Sequence, residues 1–264
     1  MEPALTVMAF WLLFAGTHIG LATGRLRAAL QARLGVWGFT ILFSLVAAGA
    51  FTLLIRTYAA LRFAGAPGLA FGAVPALRWP LMAVVVAGVV LATASLIAYP
   101  RSPMALFGEA VRTPHGIERV TRHSFFVGVT MVAVAHALLA SHLVGTVFFA
   151  ALALFATVGG WHQDRKLLAL RGAPYRDYLA ATSTLPFAAV VGGRQQIVWR
   201  ELSPGALLAG LVLAGLLRRV HGSIFAHDGA WVLAATIGGA ALEMVQAWRR
   251  AHRHRVRGLA PRPT

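Results

Sequence analysis

The stretch SFFVGVTMVAVAHALLASHL, residues 124–143, is twenty residues long and carries no acidic side chain, lysine or arginine. A second apolar run, residues 145–161, follows it at once. A helix crosses the hydrocarbon core of a bilayer with about 20 apolar residues, within a range of about 17–25. The two runs therefore read as consecutive membrane spans folded back on each other around Ser141 and His142. Working outward, residues 4–23, 36–55 and 80–99 meet the same length; residues 202–217 are shorter, and residues 229–248 carry only Glu243 near their far end. The expected fold class is an all-α, polytopic transmembrane helix bundle of six to seven spans. The first span does not read as a cleaved leader, because Met1, Glu2 and Pro3 provide no positive n-region.

Composition agrees with this. Of the 264 residues, 58% are hydrophobic and only 12% charged, well outside the range of an ordinary soluble domain. Long apolar blocks exclude collagen and disordered tails, and the absence of cysteine excludes disulfide scaffolds, thiol nucleophiles, cysteine-ligated iron–sulfur clusters and covalently attached c-type haem. The net charge of +16 comes from 24 Lys and Arg against 8 Asp and Glu, and Lys166 is the single lysine. In a soluble chain that excess would suggest nucleic acid. Here it is a property of loops. With the N-terminus outside, nineteen of the 24 basic residues fall on the inner segments, which the positive-inside rule reads as N-out/C-in. The expected partner is membrane lipid, not nucleic acid, and the tail from Arg249 to Arg262 is expected to rest on anionic headgroups.

Ionisable residues inside spans are costly and are functional candidates by default. Two stand out. His18 lies seven residues before Arg25, about 10 Å from the inner end of the first span, and His136 lies thirteen residues after His123, about 20 Å up the fourth at 1.5 Å per residue. That offset suits two imidazoles reaching toward one metal centre from facing helices, the usual way a bundle holds haem b without a covalent bond. The alternative is that each histidine only hydrogen-bonds across helices. A second constellation lies at the inner surface, where Arg119, Arg122 and His123 lead into the fourth span and His162, Asp164 and Arg165 follow the fifth. Because the two spans form a hairpin, these six should converge, either to bind an anionic cofactor group such as a haem propionate or as a salt-bridge network that positions the helices. Residues 167–178, broken by Gly172 and Pro174, read as an interfacial helix and turn, with Tyr175 and Tyr178 at headgroup level. Ala206, Gly210 and Ala214 form a small-residue seam suited to close packing. No nucleophile elbow, P-loop, zincin or dinucleotide fingerprint is present.

At several of these positions the chain resembles the NnrU family of bacterial membrane proteins. The resemblance rests on His18, the Gly116-Ile117-x-Arg119-x-Thr121-Arg122-His123 run, Ala135-His136-x-Leu138-Leu139-Ala140, the Asp164-Arg165 pair, Thr182-Ser183 with Pro186-Phe187, Gly193-Arg194 and the segment from His221 to Gly229. It implies a family unit over residues 1–229, with residues 230–264 as an additional transmembrane helix and basic cytoplasmic tail, in a bacterial inner membrane. It further implies a role in nitrite and nitric oxide metabolism. The family is similar in turn to zeta-carotene isomerase, which holds haem b between two histidines. By position that implies His18 and His136 as metal ligands and a hydrophobic small-molecule substrate, with Arg119, Arg122, His123, Asp164 and Arg165 as further cofactor-binding residues. The Arg-His pair and the later tyrosines are also similar to isoprenylcysteine carboxyl methyltransferases, which use S-adenosylmethionine. Ser124 stands where both groups carry proline, and Gln163-Asp164 stands where the methyltransferases carry glutamate. A third reading is a non-enzymatic membrane assembly factor.

Overall fold

The computed structural model describes residues 2–104 and 111–259. It is an all-helical membrane bundle. Its helices are α1 (Pro3–Ala22), α2 (Gly24–Leu61), α3 (Pro75–Ala98), α4 (Ser124–Leu139), α5 (Leu143–Arg171), α6 (Ala173–Ala181), α7 (Ala188–Val191), α8 (Pro204–Arg219) and α9 (Ala226–Leu259). Five of them, α1, α2, α3, α5 and the part of α9 up to Gln246, are long and apolar enough to cross a membrane. At 1.5 Å per residue, α4 and α8 measure only about 24 Å each, having 16 residues apiece.

Neighbouring helices pack in the order α8, α3, α4, α5, α1, α2, α9. α5 therefore stands between α1 and α4. The main core lies where α1, α2 and α5 meet, with Trp11 and Phe14 against Leu54, Ile55, Tyr58, Val144 and Phe148; the Tyr58 and Phe148 rings stack 3.9 Å apart. On the other side of α5 the helices meet through small residues. A Cβ on Gly128 would lie 2.5 Å from the Gly88 carbonyl oxygen, so α3 and α4 cross backbone to backbone. The small-residue seam on α8 is used as expected: Ala206 and Gly210 are buried, and Gly210 abuts the Val90 backbone of α3.

Two breaks separate membrane helices from their neighbours. Gly35 (φ 71°, ψ 172°) divides α2 into an arginine-bearing first piece and the span proper, a conformation open to glycine and strained for other residues. His227, Asp228 and Gly229 are all left-handed and set off the rest of α9. In the structure α2 continues to Leu61, and the connection that follows is tied to the α4–α5 turn: Gly68 N–H donates to the Ser141 carbonyl (3.0 Å), Ala70 N–H to that of Ala140 (2.9 Å) and Leu143 N–H to that of Ala66 (2.8 Å). Ala66 N–H also reaches Glu2, so the N-terminus and this connection share one end of the bundle. The expected lipid contact of the basic tail falls, beyond Arg249, on side chains outside the described residues.

Candidate functional site

The opposite end is closed by a polar cluster built on Asp164. α5 does not stop at Trp161, as the apolar run alone suggests, but continues to Arg171 and carries Asp164 into a buried position. The Arg122 guanidinium donates from Nε (3.0 Å) and Nη2 (2.8 Å) to Asp164 Oδ2. The Tyr175 hydroxyl donates to Oδ1 at 2.8 Å. His123 Nε2 also lies 2.8 Å from Oδ1, an ion-pair distance that lacks hydrogen-bond alignment. The His123 ring rests on Gly160, one turn before Asp164 on the same face.

Backbone pairing fixes this geometry. Arg122 N–H donates to the Ser183 carbonyl (3.0 Å) and Phe187 N–H to that of Val120 (2.9 Å), and the Thr121 hydroxyl donates to Thr184 at 2.7 Å. Gly172 ends α5 and turns the chain into α6, whose Tyr175 and Tyr178 pack with Met104 and Leu167. The two tyrosines are 0% and 3% exposed. Burial, and for Tyr175 also the Asp164 carboxylate, raises both phenols well above their ordinary value.

Arg119 is engaged just beside this cluster. Its Nε and Nη2 donate to the two carboxylate oxygens of Glu201 (2.7 and 2.9 Å), and Nη1 donates to Gln195 (2.8 Å). Gly116 N–H donates to the same carboxylate at 2.8 Å. Glu118 forms a third pair, accepting from Arg112 (2.9 Å) and from His115 N–H (3.2 Å). Glu201 and Gln195 carried no motif in the sequence. The signal that finds Glu201 is scarcity: with eight acids in the whole chain, an acid in a loop at the basic end is a marked position.

The Arg119 hydrogen bonds hold the Glu201 carboxyl down to about 2, from its ordinary 4.5. A depressed carboxyl contributes stability that is complete above the unfolded value and fades as pH falls toward the folded one. Thermal unfolding in detergent is expected to show this contribution intact above about pH 4.5 and lost between about pH 4.5 and 2, a loss absent from Glu201→Gln. The comparison matters because burial holds the Glu118 carboxyl above its ordinary value. Its protonation favours the folded state and runs the other way.

The structure thus brings Arg122, His123 and Asp164 together, with Arg119 adjacent, and their polar groups are largely spent on one another. Arg165 is exposed and lies over the Trp161 ring at 4.7 Å.

The intramembrane histidines are placed differently. His18 sits among Phe14, Phe43 and Phe155, with ring centroids 5.4, 5.0 and 5.6 Å away, and its Nδ1 is buried without a partner. His136 Nδ1 lies 2.8 Å from the Val132 carbonyl oxygen, and its ring is 4.8 Å from Phe149 and 6.0 Å from His221. Phe149 and Phe155 are six residues apart on α5, about 9 Å along its axis and about 120° around it. Both rings pack against the core where α1, α2 and α5 meet. Taken singly, each keeps a ring nitrogen free for a metal, and a histidine whose other nitrogen binds a backbone carbonyl, as in His136, is the common ligating form. Among the described residues no group of three or more histidine or acidic side chains forms a metal cluster.

The chain matches the family model described as NnrU protein over residues 6–228. It is 28% identical to the chloroplastic 15-cis-zeta-carotene isomerase of Arabidopsis thaliana over 232 residues, covering 86% of this chain and 60% of that protein. It is 35% identical to the chloroplastic 15-cis-zeta-carotene isomerase of Zea mays over 82 residues, 31% of this chain and 22% of that one. The matches thus span less than two thirds of the length of these curated relatives. No solved structure matches it. With the family model covering most of its length and the motifs around Arg122, His136 and Asp164 inside that match, this multi-pass membrane protein belongs to the NnrU family.

Proposed function

We propose that the protein is a membrane isomerase that acts on a long, apolar, unsaturated substrate drawn from the lipid phase, with haem b as its cofactor. The observation that carries this reading is the similarity to 15-cis-zeta-carotene isomerase across 86% of the chain. An apolar bundle whose spans carry two half-buried imidazoles, His18 and His136, supports it, since polar groups in that setting are retained for function. Haem would supply an iron that changes oxidation state beside the substrate. His18 and His136 are the residues that would hold it. The phenylalanines around His18 supply an apolar, aromatic wall suited to a polyene. A role in nitrite and nitric oxide metabolism is the alternative use of the same centre. Residues 1–229 act as the family unit in this reading and residues 230–264 as an added helix, a division supported by the left-handed break at His227–Gly229, where the family match ends. The orientation is N-out/C-in in a bacterial inner membrane.

The test is direct. Protein purified from cells supplied with haem is expected to show a Soret band, and incubation with 15-cis-zeta-carotene in liposomes to yield an isomerised product by chromatography. Absence of both overturns the reading. A calorimetric signal with S-adenosylmethionine would favour methyl transfer instead. Full complementation of a deletion strain by the His136→Leu variant would favour an assembly role.

A further inference from the structure

One stripe of α5 runs from the aromatic core and ends in charge. Phe155, His162 and Lys166 follow one another at intervals of seven and four residues, so they lie within about 40° of each other around the helix. Phe155 packs on His18 of α1 at 5.6 Å, and His18 on Phe43 of α2 at 5.0 Å. Phe39, one turn before Phe43, continues the row at 6.0 Å. Arg27 closes the row on the α2 side: its guanidinium lies over the Phe39 ring at 5.7 Å, and its charge acts directly on Lys166. Two cations from two helices are thus held together at the Asp164 end of the bundle.

The protein supplies them with no counter-ion. α1 and α2 contain no acidic residue, and the one acid of α5, Asp164, is taken up by Arg122 and Tyr175. Asp164 precedes Lys166 by two residues, about 200° around the helix, and so faces away from it. Among the described residues no acid pairs with Arg27 or Lys166. Like charges brought together cost energy unless an anion joins them. The surroundings say which kind. Leu26, beside Arg27, is 45% exposed, and Leu170, one turn beyond Lys166, is 70% exposed. Arg27 also lays its stem on an apolar ring, as basic side chains do at a membrane boundary. An anion that brings its own apolar chain fits such a place better than a free ion does, and basic pockets between membrane helices hold anionic headgroups.

We infer that Arg27 and Lys166 form a two-point site for the phosphate of an anionic lipid headgroup, set between the first piece of α2 and the end of α5. The site does not depend on the reaction that the bundle carries out.

The experiment titrates the full chain, purified in a neutral detergent, with phosphatidylglycerol, phosphatidylcholine or inorganic phosphate, and follows the midpoint of thermal unfolding. Phosphatidylglycerol is expected to raise the midpoint saturably and phosphatidylcholine to leave it unchanged. Arg27→Gln and Lys166→Gln are each expected to raise the half-saturating concentration about fivefold, the usual worth of one basic residue at an anionic surface. Lys166→Arg, which keeps the charge, is expected to retain the wild-type value, and so is Arg25→Gln, about 200° around the same helix from Arg27. A loss in Arg25→Gln equal to that in Arg27→Gln would mean diffuse attraction and overturn the site. If Lys166→Arg binds as poorly as Lys166→Gln, the side chain serves packing and the inference is wrong. If inorganic phosphate produces the same shift and displaces the lipid, the lipid assignment is overturned. The inference also fails if phosphatidylglycerol has no saturable effect.

Discussion

Replacing Asp164 with asparagine is expected to lower stability by about 3–5 kcal/mol, the usual cost of removing one partner from a buried ion pair. The loss is large because one carboxylate serves three neighbours: Arg122 by two hydrogen bonds, Tyr175 by one and His123 at an ion-pair distance. Asparagine retains an oxygen for one of them but strands the Arg122 charge, whose side chain is 15% exposed, with nothing to neutralise it. Thermal unfolding in detergent, followed by circular dichroism, measures the effect. The double variant Arg122→Gln with Asp164→Asn should cost clearly less than the two single changes added together, because the second removes a charge that the first left unpaired. Equal additivity would mean that the cluster is not coupled.

The second large effect lies at the crossing of α3 and α4. Gly128→Val introduces a Cβ 2.5 Å from the Gly88 carbonyl oxygen and 2.7 Å from the Ala92 nitrogen, and both are backbone atoms that no rotamer change can move aside. Overpacking of a filled core costs about 1–3 kcal/mol and occasionally more; with backbone on both sides the upper end or beyond is expected, seen as loss of monodisperse protein on size-exclusion chromatography. Gly215→Ala serves as the control, because a Cβ there has no neighbour within 4 Å. It should leave the elution profile unchanged.

Much of this arrangement was legible in the sequence, for identifiable reasons. Run length marks a span whatever packs against it, so the hairpin of α4 and α5 could be read from residues 124–161, and with it the convergence of Arg122, His123 and Asp164. The seam on α8 was legible because Ala206 and Gly210 recur at helical spacing. What could not be read is which face of a span meets which neighbour. In a soluble helix the polar stripe identifies the outside, but in α5 both lipid-facing and core-facing residues are apolar, so nothing in the sequence places α1 and α4 on different sides of it. Glu201 was missed for another reason: its partner Arg119 is 82 residues away, and no local pattern joins them. The full burial of the α6 tyrosines could not be read either, because amphipathic spacing does not say what covers a helix.

The two 16-residue helices, α4 and α8, have a consequence for the lipid around them. Both flank α3, which has 24 residues of its own, so two of the three helices on this side are about 24 Å long where an average hydrocarbon core is about 30 Å. A short span is met by thinning of the bilayer, by flanking side chains that reach to the interface or by oligomerisation, and here that demand falls on α4 and α8 and not on the longer α2, α3 and α5. Mismatch of this kind costs a fraction of a kcal/mol per Å and favours thin, fluid membrane.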